Sequence, residues 1–187
     1  MQVTELGIPG VMLVEPDVFR DDRGYLFESY NKAKLAAQGI AEDFVQDNQS
    51  WSAKRGTVRG LHFQAPPHAQ GKLVRTLGGS VIDVAVDIRT GSPTYGRHVA
   101  VELSAANKRQ LWVPPGFAHG FCTLEDDCTV AYKLTAPHAL AAERGLLWND
   151  PELAIAWPVA TEDAVLSPKD RDAPRLRDLE AYFTFGA

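Results

Sequence analysis

Cysteine is nearly missing from this sequence, with only Cys122 and Cys128 among 187 residues. Neither belongs to a closely spaced thiol pair matched by a second pair, so neither a zinc ribbon nor a disulfide framework is suggested. Two reduced, mostly buried thiols are expected. Long apolar runs are missing as well. The longest early run is Val11-Met12-Leu13-Val14, and no span approaches the roughly 20 apolar residues of a membrane helix. The opening Met-Gln-Val-Thr-Glu-Leu-Gly has no basic region followed by an apolar stretch, as a secretion signal would. A cytoplasmic location with no membrane partner is the expectation. Basic residues are in deficit, 19 Lys and Arg against 24 Asp and Glu for a net charge of −5, which gives no general attraction to nucleic acid. An anionic ligand must then be held by a few local bases.

The remaining composition is that of an ordinary globular chain: 45% hydrophobic residues, 15 Gly and 12 Pro. One domain over residues 1–187 is expected, burying roughly 70% of the surface its unfolded form exposes. Its dominant pattern is period-two alternation in short blocks, broken by Gly, Pro, Asn and Asp. In Val81 to Ile88 the residues Ile82, Val84, Val86 and Ile88 share one face, while Asp83, Ala85 and Asp87 share the other. Similar blocks run over 11–15, 25–30, 58–63, 72–77, 98–103, 110–113, 120–124 and 129–134. Helix is scarce. Lys32 to Gln38 is one segment, between Asn31 and Gly39, and a second short helix is expected near 176–182. Many short strands with few helices predict an all-β antiparallel sandwich or barrel of the jelly-roll kind.

Several polar residues sit awkwardly in these strands. In Val58-Arg59-Gly60-Leu61-His62-Phe63-Gln64, parity puts His62 with Val58 and Arg59 on the opposite side, unless a bulge at Gly60 turns both one way. In Lys72-Leu73-Val74-Arg75, the two bases read as solvated charges on a strand edge. Trp112-Val113-Pro114-Pro115-Gly116-Phe117-Ala118-His119 delivers His119 from a tight turn into a strand. Tyr132 lies on an apolar-faced block, and Asp170 in Leu166-Ser167-Pro168-Lys169-Asp170 passes for a turn acid.

Taken together these segments resemble the motifs of the dTDP-4-dehydrorhamnose 3,5-epimerase family. The match is carried by Phe44-Val45-Gln46-Asp47-Asn48, Arg59 to Gln64, Gln70 to Arg75, Asp83 to Arg89, Asn107 to Trp112, Gly116 to Phe121, Trp148-Asn149-Asp150-Pro151 and Leu166 to Asp170. Ordered blocks along most of a chain are far more specific than one short pattern. The resemblance implies a cupin-type jelly-roll homodimer that needs no metal or redox cofactor. Its implied substrate is a dTDP-linked 4-keto-6-deoxy sugar, inverted at the two carbons flanking the ketone and feeding L-rhamnose synthesis.

The residues suit that chemistry. An imidazole such as His62 is a base of near-neutral strength for removing a proton beside a ketone. The resemblance makes Asp170 its orienting partner, Lys72 the cation facing the developing oxyanion, and Tyr132 the acid that returns a proton from the opposite face. A phenol, with a reference pKa of about 10, keeps its proton near neutral pH. His119 is implied to support substrate or Lys72. Phe19, Arg23, Glu28, Gln46, Asn48 and Arg59 resemble nucleotide-diphosphate contacts, some of them supplied by the dimer partner. Where the family carries a tyrosine pair after Tyr132, this chain has Pro137 and His138; imidazole can still stack, so His138 is kept as a substrate contact. The change leaves open a relative that inverts one carbon. A metal cupin using His62, His68 and His119 and a non-catalytic sugar-nucleotide binder are weaker alternatives. The first lacks the usual ligand set, and the second has no chemical need for His62, Lys72, Tyr132 and Asp170 together.

Overall fold

The computed structural model describes residues 1–186; Ala187, the last residue of the expected domain, lies outside them. In chain order the strands are β1 (Gln2–Glu5), β2 (Met12–Glu15), β3 (Phe19–Asp21), β4 (Gly24–Leu26), β5 (Gln46–Ser52), β6 (Val58–Gln64), β7 (Lys72–Gly78) and β8 (Ser80–Asp87). They continue with β9 (Arg89–Thr90), β10 (His98–Ser104), β11 (Gln110–Val113), β12 (Phe117–Thr123), β13 (Cys128–Leu134), β14 (Glu143–Gly145) and β15 (Phe183–Thr184). The helices are α1 (Lys32–Ala36) and α2 (Pro168–Arg171), with short 3-10 turns elsewhere, one of them at Leu176–Asp178 where the second helix was expected.

Two antiparallel sheets form the jelly roll. One has the order β1-β2-β11-β7-β13-β5 and the other β10-β8-β12-β6-β14. Because consecutive strands such as β6, β7 and β8 alternate between sheets, a short stretch of sequence supplies both walls of the space between them. At one end that space is filled by Val74, Leu111, Val113 and Val130 from the first sheet and Val81, Ala85, Leu103, Phe117 and Phe121 from the second. Full burial of such side chains is worth about 1.5–3 kcal/mol each.

Both sheets are also covered on their outer sides. Helix α1 begins at Asn31, whose side chain accepts from the Lys34 amide, and it drives Leu35 onto Val14, Leu73 and Trp112. The chain after residue 145 packs Leu146, Leu153 and Leu176 against Leu61, Val84, Val86 and Ile88. This second cover corrects the reading of β8 as a strand with one apolar side. Asp83 and Asp87 are completely buried, on a strand enclosed from both faces. Asp87 tolerates this through bonds to Arg89, Ser92 and Thr94, which outweigh the burial that would raise its pKa and hold it down at about 2.

Strand β7 likewise lies between β11 and β13, so Lys72 and Arg75 are not edge charges. Their alternation sends Lys72 into the space between the sheets and Arg75 to the outer side.

Candidate active site

Beside that apolar filling, with Phe121 common to both, the two sheets open around a cavity of about 560 Å³. The six-stranded sheet contributes Gln46, Asn48 and Ser50 from β5, Lys72 from β7 and Tyr132 from β13. The five-stranded sheet contributes Arg59 and His62 from β6 and His119 from β12, and α2 brings Lys169 and Asp170.

Arg59 and His62 reach the same cavity because β6 bulges. His119 pairs with His62 and Phe121 with Arg59, so Gly60 and Leu61 together face the single residue Gly120. Gly60 has φ +131°, and a Cβ there would stand 2.6 Å from Gly120 Cα and 2.8 Å from the His119 carbonyl oxygen. Only glycine fits that crossing.

His62 Nε2 lies 2.5 Å from Asp170 Oδ1. Asp170 is fixed by the start of α2, where Ser167 caps its amide, and it is buried to 4% exposure. Burial alone would raise its pKa, but the His62 hydrogen bond and charge outweigh that and hold it below the ordinary carboxylate range. A carboxylate beside Nε2 accepts a hydrogen bond from the N–H there and leaves Nδ1 with the lone pair. The pair was legible only through the resemblance, since 108 residues separate its members.

Lys72 Nζ donates to the His62 carbonyl at 3.1 Å, and burial lowers its pKa to about 8. Tyr132 faces His62 from the opposing sheet, its Oη accepting from Asn48 Nδ2 at 3.5 Å. Gln46 donates to Asn48 at 2.7 Å and accepts from the His138 amide at 2.9 Å, which ties the 138 region to the rim. Arg59 is steadied by Ser52 Oγ and the Trp51 carbonyl.

His119 is held by a residue the sequence reading did not assign. Its Nε2 sits 2.9 and 3.1 Å from the two oxygens of Asp83, and both side chains are buried. Burial lowers the His119 pKa, against the pull of Asp83. The available signal was a pair of carboxylates, Asp83 and Asp87, on one face of a largely apolar strand. Glu143 and Lys169 were also unassigned: they pair with each other on the rim, and Glu143 further contacts His138 at 3.3 Å. Gln64, buried beneath them, bonds the His68 and Pro137 carbonyls and the Ala139 amide.

Phe19, Arg23 and Glu28 do not join this cavity. Phe19 and Arg23 belong to the β3–β4 hairpin, which pairs only with itself, and Phe19 and Leu26 are 67% and 73% exposed. Arg23 is occupied by Asp21, and Glu28 by Lys34 and Asn31. His68 is also outside it. Among the described residues no three His, Cys, Asp or Glu side chains converge as a metal-ligand set, and no helix is long and apolar enough to cross a membrane.

Known proteins resemble this chain along nearly its whole length. The family model described as dTDP-4-dehydrorhamnose 3,5-epimerase matches residues 5–178. A Pseudomonas aeruginosa protein named dTDP-4-dehydrorhamnose 3,5-epimerase is 53% identical over 184 residues, 97% of this chain and 99% of the relative. One of the same name from Shigella flexneri is 50% identical over 184 residues, covering 98% and 99%. Among solved structures, the Legionella pneumophila dTDP-6-deoxy-D-glucose-3,5-epimerase in complex with dTDP-4-keto-L-rhamnose superposes with TM-score 0.94 at 43% identity, covering 100% of this chain and 99% of that one.

Proposed function

The chain belongs to the dTDP-4-dehydrorhamnose 3,5-epimerase family, and from that footing we propose how its own residues carry out the epimerisation. It is a sugar-nucleotide isomerase that inverts C3 and C5 of a dTDP-linked 4-keto-6-deoxy sugar. His62 takes the proton from the carbon beside the ketone on Nδ1, the nitrogen that Asp170 leaves free. Asp170 stabilises the imidazolium that results. The electrons move onto the ketone oxygen, and the Lys72 ammonium, preorganised by the His62 carbonyl, stabilises that oxyanion. Tyr132 returns a proton to the other face of the carbon.

The observation that carries this reading is the placement of base and acid on opposing sheets, His62 on β6 and Tyr132 on β13, with the cavity between them. A planar enolate lying between two such walls is protonated on the face opposite to the one it lost its proton from. That is inversion.

Arg59, Gln46 and Asn48 take the nucleotide diphosphate, the guanidinium fork suiting phosphate oxygens. His119, positioned by Asp83, supports the substrate, and His138 on the rim supplies an aromatic face. Phe19, Arg23 and Glu28 serve the cavity of a second copy, which makes the working unit a homodimer: the hairpin presents Phe19 and Leu26 to solvent in the single chain. The enzyme works in the cytoplasm. Pro137 and His138 favour a second reading, in which only one carbon is inverted.

Proton NMR of dTDP-4-dehydro-6-deoxyglucose with the protein in D2O separates these. Deuterium at both C3 and C5, with trapping of dTDP-rhamnose by a reductase, is the expected result. Exchange at one carbon would establish the second reading, and exchange at neither would overturn both.

A further inference from the structure

Among the described residues one buried side-chain nitrogen or oxygen has no hydrogen-bonding partner, Ser50 Oγ, and Ser50 stands in the wall of the cavity. Buried polar groups are otherwise paired, because an unpaired one has given up water for nothing. Local rules broken without compensation concentrate where a protein binds its ligand.

Ser50 belongs to an alternating row on β5. Gln46 bonds Asn48, Asn48 bonds Tyr132 Oη, and Ser52 Oγ accepts from Arg59 Nε at 3.0 Å. Ser50 lies between Asn48 and Ser52, across from Val130, whose side chain offers no polar atom. Same-side residues on a strand are about 6.8 Å apart, so Ser50 falls between the Tyr132 end of the row and the Arg59 end.

We propose that Ser50 is a substrate-binding residue whose hydroxyl bonds the C2 hydroxyl of the sugar. This rests on the roles proposed above for Tyr132, at the inverted carbons, and Arg59, at the diphosphate. In the substrate, C2 lies between the phosphorylated C1 and the inverted C3, and its hydroxyl is the hydrogen-bonding group at that point. Serine has a single side-chain torsion, so one step between staggered positions presents the hydroxyl to the cavity with no backbone movement. A site built to bond a hydroxyl discriminates strongly against an analogue that lacks it. Ser50 therefore makes the enzyme selective for sugars that retain the 2-hydroxyl.

The test compares wild type with Ser50→Ala, which removes one atom and leaves the strand intact. With the natural substrate kcat/KM should fall about tenfold, mostly through KM. With the 2-deoxy analogue the two proteins should be equal. Affinity for dTDP alone, measured by calorimetry, should not change, and the unliganded variant should melt at the same temperature as wild type or a few degrees higher, since an unsatisfied hydroxyl is gone. A merely structural role would give the reverse, a lower melting temperature with activity unchanged. The assignment is overturned by kcat/KM within twofold of wild type, by an equal loss on the 2-deoxy analogue, or by a parallel loss of dTDP affinity. A wild type that exchanges neither C3 nor C5 would overturn the epimerase mechanism itself, whereas an active wild type matched by its Ser50→Ala variant overturns the Ser50 assignment alone.

Discussion

Replacing Lys72 by Met should make the protein more stable and inactive at once, with a pH dependence that identifies the cause. An ammonium ordinarily titrates near 10.5, and here burial brings Lys72 down to about 8. At ~1.4 kcal/mol per tenfold change in protonation constant, keeping that charge in the fold at pH 7 costs at most about 3 kcal/mol; the side chain borders the open cavity, which sets this as the upper bound. The sign follows from proton counting. Below about pH 8 both folded and unfolded chains carry the charge and the cost is complete. Between about 8 and 10.5 the unfolded chain holds a proton that the folded one has released, so wild-type stability gains from this group as pH rises. Methionine has nearly the same length and no charge. Urea unfolding should therefore show Lys72→Met more stable than wild type by up to about 3 kcal/mol at pH 7, with the charge-dependent part of the gap falling to about 1 kcal/mol by pH 9.5. Turnover should be lost, because nothing replaces the cation at the oxyanion. A gap that does not change with pH, or a variant less stable than wild type at pH 7, would refute the reasoning.

Further outcomes are open to direct measurement. In wild type, turnover should decline as pH rises through about 8 and Lys72 loses its proton; Lys72→Arg, if active, should keep its rate to higher pH, and a coincident alkaline limb would detach that limb from Lys72. Tyr132→Phe should retain deuterium exchange at the substrate better than inversion, as read by NMR, and equal loss of both would remove Tyr132 as the acid. Gly60→Ala should destabilise the fold by more than about 3 kcal/mol in urea titration, since the new Cβ meets backbone at 2.6 and 2.8 Å at a positive φ. Arg23→Ala should raise KM about tenfold with kcat and the protein's elution volume unchanged; an unaltered KM would mean that the hairpin serves no second copy.

How far all this was legible in the sequence depended on what each strand packs against. Strands β6, β7, β8, β10, β11, β12 and β13 have at least one face against apolar neighbours, and alternation revealed each within a few residues. Strand β5, Gln-Asp-Asn-Gln-Ser-Trp-Ser, escaped notice because its inner side lines a polar cavity and its outer side is largely exposed, so neither face had to be apolar. The bulge at Gly60 could be anticipated as a condition, and the structure meets it. The edge reading of Lys72 failed because strand order is a long-range property that local pattern does not encode. Residue types could suggest His62 as a base, but only the resemblance linked it to Asp170, and neither route identified Asp83, Glu143 or Ser50. Those three work through contacts formed by distant segments, or through a contact missing where one is expected.

The most direct test of the account is deuterium incorporation at C3 and C5 of the substrate by His62→Ala in D2O, with far-ultraviolet circular dichroism to verify the fold. If His62 is the base, exchange at both carbons should fall by several powers of ten in a protein that is still folded. Exchange within tenfold of wild type at either carbon would contradict the account and place the base elsewhere in the cavity.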